Sequence, residues 1–251
     1  MRNTGRIFFA VILAFVAVAC CKEEMPEDID MPQTGTLTIT FKPEHAGAVL
    51  HLDSSYINRD SIGFRMEVLK FYLSDLRLVK DDMSEVQVAD VLLLDMEDPG
   101  SLVIKLDVAP GHYQTIRFGL GVDSTLNAAD PSVYPAGHPL SIFNNTYWTW
   151  SSKYRFILIE GKTDTLNNGN FDYSFVYHTG LDSLYREVDH LVLPFHITNG
   201  NTSNIDLHLD ADRLFYGTND TIDFVRDNIT HTTNNFELAR RVTDNFIGAM
   251  Y

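Results

Sequence analysis

Much of the chain alternates between apolar and polar residues. A period of two is typical of half-buried β-strands, and β-branched and aromatic residues are frequent in these segments. Clusters rich in Gly, Pro, Asn and Asp separate the segments and predict turns. The predicted strands lie at residues 36–41, 64–79, 86–94, 102–108, 112–122, 148–161, 172–177, 187–196 and 205–209.

Two segments depart from this alternation. Residues 123–146 are rich in Asn, Asp, Pro and Gly, which predicts a long loop. Residues 235–246 space their apolar positions as a helix does, which predicts a short C-terminal helix. Many short strands and no repeat of 20–50 residues favour an all-β fold, an antiparallel β-sandwich with long loops, over a propeller or solenoid.

The N-terminus has the pattern of an export signal. Arg2 and Arg6 precede an uncharged apolar run at residues 7–19, which is too short for a transmembrane helix. Residues 17–20, with the sequence AVAC, resemble a bacterial lipobox. We therefore expect a lipoprotein signal peptide at residues 1–19 and acyl chains on Cys20. The alternative is an ordinary signal peptide that ends in two cysteines.

An acidic segment with two prolines follows the cut. We interpret residues 20–34 as a flexible tether and residues 35–251 as one domain. Residues 21–24, with the sequence CKEE, resemble the signal that sends Bacteroidota lipoproteins to the outer face of the outer membrane. This favours a lipid-anchored protein at the cell surface, although a solvated linker would have a similar composition.

Charge and cysteine usage exclude several classes of function. The formal net charge of −15 and the lack of a basic cluster argue against a nucleic-acid partner. The only cysteines are Cys20 and Cys21, so the domain has neither an internal disulfide nor a cysteine nucleophile. A hydrophobic core must therefore stabilise the fold.

The sequence lacks a nucleophile elbow, a P-loop and a His-Glu-x-x-His motif, so we do not expect an enzyme. A hydrolase is the least favoured alternative. Its acid and base would be Asp123 with Glu160, or Asp210 with Asp212.

Histidines and tryptophans are the remaining candidates for a site. Among nine histidines, His178 lies where a strand reaches a turn and His231 lies in a polar loop just before the helix. Neutral imidazole is a common ligand of copper and zinc, although a structural role is the more frequent one for any single histidine. Trp148 and Trp150 are the only tryptophans, and on one strand they would face the same side. Core packing is the preferred interpretation for this pair, and lining a pocket beside residues 123–146 is the alternative.

Several motifs, in order, resemble those of the MbnP-like (MbnP/MopE-related) domain family. They are FYLSDLRL at residues 71–78, GHY at 111–113, IRFGLGVD at 116–123, WTWSSKYRF at 148–156 with EG at 160–161, YHTG at 177–180, and His231 followed by residues 239–245. In the tryptophan block Lys153 stands where the family usually has Gly.

The resemblance implies a secreted β-sandwich associated with copper. In that family Cu(I) is held by histidines and by a tryptophan oxidised to kynurenine in a Trp-x-His motif, and the oxidation needs a di-heme partner of the MbnH type. This chain has Trp150 where the motif has His. The expected ligands are His178 and His231, and Trp148 and Trp150 are candidates for pocket or modified residues. The competing hypothesis is a metal-free surface module that recognises glycan or protein through exposed aromatic side chains near residues 123–150.

Overall fold

The domain is built from strands whose residues alternate between buried and more exposed positions. A computed structural model describes residues 33–150, 152–218 and 220–251. The predicted signal peptide, Cys20 and nearly all of the predicted tether lie outside the described residues. The described strands are β1 (Gly35–His45), β2 (Ala48–Val49), β3 (Ser55–Ile57), β4 (Gly63–Lys80), β5 (Glu85–Asp95), β6 (Val103–Val108), β7 (Gly111–Leu120), β8 (Tyr147–Trp148), β9 (Lys153–Asp164), β10 (Tyr173–Gly180), β11 (Arg186–Val188), β12 (Phe195–Ile197), β13 (Thr202–Asp210) and β14 (Ile229–His231).

Helices are few and mostly short. The α-helices are α1 (Ser124–Asn127), α2 (Ala211–Phe215) and α3 (Phe236–Ala249). Single turns of 3₁₀-helix occur at Pro99–Leu102, Pro131–Val133, Ile142–Asn144 and Asp182–Leu184. Within the described part of the chain, no helix has the length and apolar character needed to span a membrane.

The strands form two sheets. The smaller sheet has the order β13-β1-β2, and β6 also pairs with β1. The larger sheet has the order β11-β7-β4-β9-β10-β14, with β12 on β7, β3 and β5 on β4, and β8 on β9. Among the described pairings, β1 with β13 and β10 with β14 are parallel and the others are antiparallel.

Aromatic side chains join the two sheets into one core. The Phe41 ring of β1 lies 6.0 Å from the Phe71 ring of β4 and 6.5 Å from the Phe118 ring of β7, measured between centroids. Phe246 of α3 packs on Phe71 at 4.9 Å. The predicted sandwich-like all-β fold with a short C-terminal helix is confirmed.

The segment 123–146 connects β7 to β8 and is held against the core by two tyrosines. The buried Tyr72 hydroxyl lies 2.6 Å from Thr146 Oγ1, and the buried Tyr154 hydroxyl donates to the Leu140 carbonyl at 2.7 Å. These hydrogen bonds satisfy the buried tyrosine hydroxyls and hold the last part of the loop in place before β8 begins. The predicted long loop is present, with helical turns inside it.

Two predicted strands are divided in the structure. The segment predicted at 148–161 consists of β8 and β9, which pair antiparallel with each other. The segment predicted at 187–196 consists of β11 and β12. Between these two, Pro194 has no N–H to donate to a sheet, and the Leu191 carbonyl accepts from the Thr115 hydroxyl at 2.7 Å.

Candidate metal centre

The two histidines singled out in the sequence meet at the edge of the larger sheet. Parallel pairing of β10 with β14 places His178 directly beside His231. Their Nδ1 atoms are 3.1 Å apart. His231 is the last residue of β14, so the prediction that it lies in a loop is wrong, because three residues of that polar segment pair with β10.

Alternation along β10 sets the direction of His178. Phe175 and Tyr177 point into the core and stack on each other, with ring centroids 5.7 Å apart. His178 therefore points to the opposite face of the sheet. It is nevertheless only 5% exposed, because neighbouring side chains cover it.

Glu160 of β9 is the polar partner of His178. Its Oε1 atom lies 2.7 Å from Nε2 of His178. The hydrogen bond from His178 holds the pKa of Glu160 below its usual value, against the opposing effect of burial. An ionised carboxylate only accepts, so Nε2 of His178 donates this hydrogen bond, and in the neutral ring the Nδ1 lone pair faces His231.

The environment of His231 favours the neutral ring. Burial is the main effect that lowers the pKa of His231, and the nearby His178 and Arg155 lower it further while Glu160 opposes them. Neutral imidazole is the form that binds metal ions. The His231 backbone N–H donates to Asn234 Oδ1 at 2.6 Å, which fixes the end of β14.

Trp148 covers the histidine pair. Its ring lies edge-on to both imidazoles, with centroids 5.2 Å from His178 and 5.4 Å from His231. The guanidinium carbon of the buried Arg155 lies 4.5 Å from the Trp148 ring centroid, a cation–π contact. Arg155 also donates to the Asn145 carbonyl, and burial lowers the pKa of its guanidinium.

Trp150 has a different environment from the one predicted. It is 68% exposed and stacks on Trp148 with ring centroids 4.8 Å apart. The interpretation of this pair as core packing is therefore wrong for Trp150, because β8 ends at Trp148 and Trp150 lies beyond the strand. Trp148 is half-buried above the histidines.

Two backbone positions shape the neighbourhood of this site. Lys153, which stands where the family usually has Gly, adopts a left-handed φ of 62° at the start of β9. Gly180 at the end of β10 leaves no room for a side chain, since a Cβ there would lie 2.7 Å from Ser152 Cβ and 2.7 Å from the Tyr154 carbonyl oxygen. Both positions belong to the motifs that suggested the family.

The carboxylates considered for hydrolysis have structural partners. Asp123 caps α1 by accepting from the backbone N–H groups of Thr125 and Leu126, and Asp210 caps α2 by accepting from the Asp212 N–H. Glu160 contacts His178. The sequence alone does not place Arg155 or Glu160 at this site, although the charged residue at each end of the stretch RFILIE is a signal that it contains.

The donor set suits an ion of low coordination number. Two imidazole nitrogens bound to one ion at about 2.0 Å each can lie up to about 4 Å apart. The Nδ1 atoms of His178 and His231, 3.1 Å apart, would therefore need only a small movement of the rings to bind one ion. Among the described residues, no group of three or more His, Cys, Asp or Glu side chains is placed to hold a metal ion. The residues that fit are therefore His178 and His231, with Glu160 orienting His178.

Comparisons with known proteins agree on the family and the fold. The family model described as MbnP matches residues 34–235. The solved structure of MbnP from Methylosinus trichosporium superposes with a TM-score of 0.50 at 15% sequence identity, covering 76% of this chain and 79% of that chain. At this identity the structural likeness concerns the fold alone. The search of curated proteins found no match.

Proposed function

The chain belongs to the MbnP family, and we propose that it is an exported, membrane-anchored lipoprotein that binds copper through His178 and His231 without catalysis. The observation that carries this proposal is the 3.1 Å separation of the two Nδ1 atoms. Copper is also the metal with which the resembled family is associated.

The chemistry of the ligands supports copper over zinc. Zinc completes its coordination with further protein ligands or water, whereas this pair supplies two imidazoles and is covered by Trp148. Imidazole is a good ligand of copper, and Cu(I) accepts few ligands. Bound copper would be held by the two Nδ1 atoms once the His231 proton shifts from Nδ1 to Nε2, and Glu160 would raise the basicity of His178 through Nε2.

Charges around the pair are balanced. Arg155 is a buried cation, and its positive charge opposes a second cation nearby. Glu160 supplies a compensating negative charge on the other side of His178. An ion of single charge disturbs this balance less than a divalent ion, which is a second reason to prefer Cu(I).

Copper binding is tested on the full-length chain in detergent micelles. A colorimetric Cu(I) chelator competes with the protein under reducing conditions. We expect one high-affinity equivalent, lost in the His178→Ala/His231→Ala double variant and retained in the His51→Ala control. Equal stoichiometry and affinity in the double variant would refute the proposal.

The anchor is tested separately. We expect a fatty-acid label to enter the chain, to be lost in Cys20→Ser and to remain in Cys21→Ser. Protease accessibility on whole cells tests display on the outer face of the outer membrane. If labelling depended on Cys21 alone, the cleavage site would lie one residue later, before Cys21.

Oxidation of a tryptophan is a further part of the proposal. Trp148 is the candidate, since it contacts both histidines, and conversion to kynurenine would need an MbnH-like di-heme partner. Mass spectrometry on the peptide with Trp148 and Trp150, from the native cell envelope, detects the net gain of one oxygen and loss of one carbon. An unmodified peptide would refute the oxidation of Trp148 to kynurenine.

One observation favours the second candidate function, metal-free recognition of glycan or protein. Phe143 and Trp150, near the long loop, are 77% and 68% exposed. Exposed aromatic rings are common in recognition surfaces. Binding to a glycan array that is lost in Phe143→Ala/Trp150→Ala, with copper binding unchanged, would support this function.

A further inference from the structure

A second pair of histidines lies on the exposed side of the larger sheet. His112 of β7 stands directly opposite His196 of β12 in antiparallel pairing. Their ring centroids are 4.0 Å apart with an angle of 37° between the ring planes. Both side chains are exposed, so solvent ions reach them.

The backbone holds this pair in register. The neighbouring cross-strand pair, Tyr113 and Phe195, stacks face to face with centroids 5.1 Å apart and an interplanar angle of 8°. Tyr113 is buried and its hydroxyl donates to the Ala109 carbonyl at 2.9 Å. The His196 carbonyl accepts from the Ser203 hydroxyl of β13 at 2.5 Å, which joins β12 to the smaller sheet.

The two rings line an open cleft of ≈ 510 Å³. Asp81 and Gln114 also line it, so oxygen donors lie at its border. Gln114 is two residues from His112 on β7 and therefore points to the same face. Its side-chain amide donates to the Asp81 carbonyl at 3.3 Å, which keeps the β4–β5 turn against this part of β7.

We propose that His112 and His196 form a second metal site that takes a borderline divalent ion such as Zn²⁺, Ni²⁺ or Cu²⁺. Directly opposed residues on paired strands have Cβ atoms about 5 Å apart, which lets two imidazoles reach one ion. Imidazole is the common ligand of these ions, and water in the open cleft completes their coordination. The net charge of −15 attracts cations to the surface.

This site is separate from the candidate copper centre. It shares no residue with His178 and His231, and it is open to water where that centre is covered by Trp148. It therefore favours ions that need several water ligands, while the covered pair favours an ion of low coordination number.

Zinc is the probe for the test. The full-length chain in detergent carries His178→Ala/His231→Ala as background, so that zinc cannot occupy the first pair. We expect about one equivalent of zinc by calorimetry, and His112→Ala or His196→Ala to lower the affinity at least about tenfold. His51→Ala, a change of another exposed histidine, is the matched control and leaves the isotherm unchanged.

A second measurement leaves both histidines in place, so it does not depend on the folding of a variant. Diethylpyrocarbonate modifies exposed histidines, and mass spectrometry reads each position. We expect zinc to protect His112 and His196 but not His51. Equal modification of all three with and without zinc, or an isotherm that neither alanine variant changes, would overturn the proposal.

Discussion

The carboxylate of Glu160 contacts His178 at Nε2, on the opposite side of the ring from the Nδ1 atom that faces His231. The Oε1–Nε2 distance is 2.7 Å. This hydrogen bond fixes which nitrogen carries the proton and which is available as a ligand. It links a charged residue of β9 to the ligand chemistry of β10.

Replacing Glu160 by Gln tests that link. The amide has nearly the same shape but no negative charge, so it neither holds the His178 tautomer as firmly nor offsets the charge of Arg155. We expect the Cu(I) affinity of the full-length chain to fall by about 10- to 100-fold in chelator competition. Glu67→Gln, which disturbs only a surface ion pair with Lys162, should leave the affinity unchanged. Equal affinities for wild type and Glu160→Gln would rule out this role.

The left-handed backbone at Lys153 predicts that glycine at this position would make the protein more stable. A side chain at φ 62° costs about 1–2 kcal/mol relative to glycine, while glycine gains some entropy in the unfolded chain. We expect Lys153→Gly to raise the free energy of unfolding by about 0.5–1 kcal/mol in urea denaturation. Lys162→Gly, in the same strand without a positive φ, should lower it by about 0.5–1 kcal/mol. A loss of stability in both variants would contradict the strain at Lys153.

Close packing around Gly180 predicts that adding a side chain at this position lowers the stability of the protein. A methyl group there meets the Tyr154 carbonyl oxygen at 2.7 Å, and backbone atoms give way only by a shift of the strand. We expect Gly180→Ala to destabilise the protein by about 1–3 kcal/mol. Gly248→Ala is the control, since nothing lies within 4 Å of a Cβ at this position in α3. There the change should be neutral or stabilising by up to about 1 kcal/mol. Thermal melts followed by circular dichroism compare the two variants.

Glu44 makes the stability depend on pH in a defined direction. A hydrogen bond from the Tyr251 hydroxyl is the largest influence on its pKa, which is lowered from 4.5, and His208 contributes as a second partner. A carboxyl whose pKa is lowered by folding stabilises the protein above its unfolded pKa, and this is lost as pH falls through the folded pKa.

Accordingly, Glu44→Gln should cost about 1 kcal/mol of unfolding free energy at pH 7 and less at pH 3. Urea denaturation at both pH values measures the difference. The exposed Glu97 provides a control, and Glu97→Gln should show no such pH dependence. A loss for Glu44→Gln that is the same at pH 3 and pH 7 would show that the lost contact does not involve the ionised carboxyl.

The alternation of apolar and polar residues predicts most strands, because one face of each sheet is buried in the core and the other is more exposed. It failed at 187–196, where Pro194 and a side-chain hydrogen bond to the Leu191 carbonyl interrupt the sheet. It also missed the parallel pairing of β10 with β14, because residue pattern carries no information on which distant strands are neighbours.

The site was predictable in part. The family motifs pointed to His178 and His231, and the structure brings both together. The sequence indicates Glu160 only as a candidate acid or base and Arg155 only as part of a family motif, because the roles of both residues arise from contacts across strands. The exposed position of Trp150 depends on where β8 ends, which the alternating sequence does not reveal.

Parallel pairing of β10 with β14 also has a consequence for chain entropy. His178 and His231 are 53 positions apart in sequence, yet their ring nitrogens nearly touch. An ion bound by both would act as a removable cross-link that closes this long loop and restricts the unfolded ensemble. Loading or removing the metal would then change how firmly the C-terminal part of the chain, including α3, stays attached to the rest of the domain.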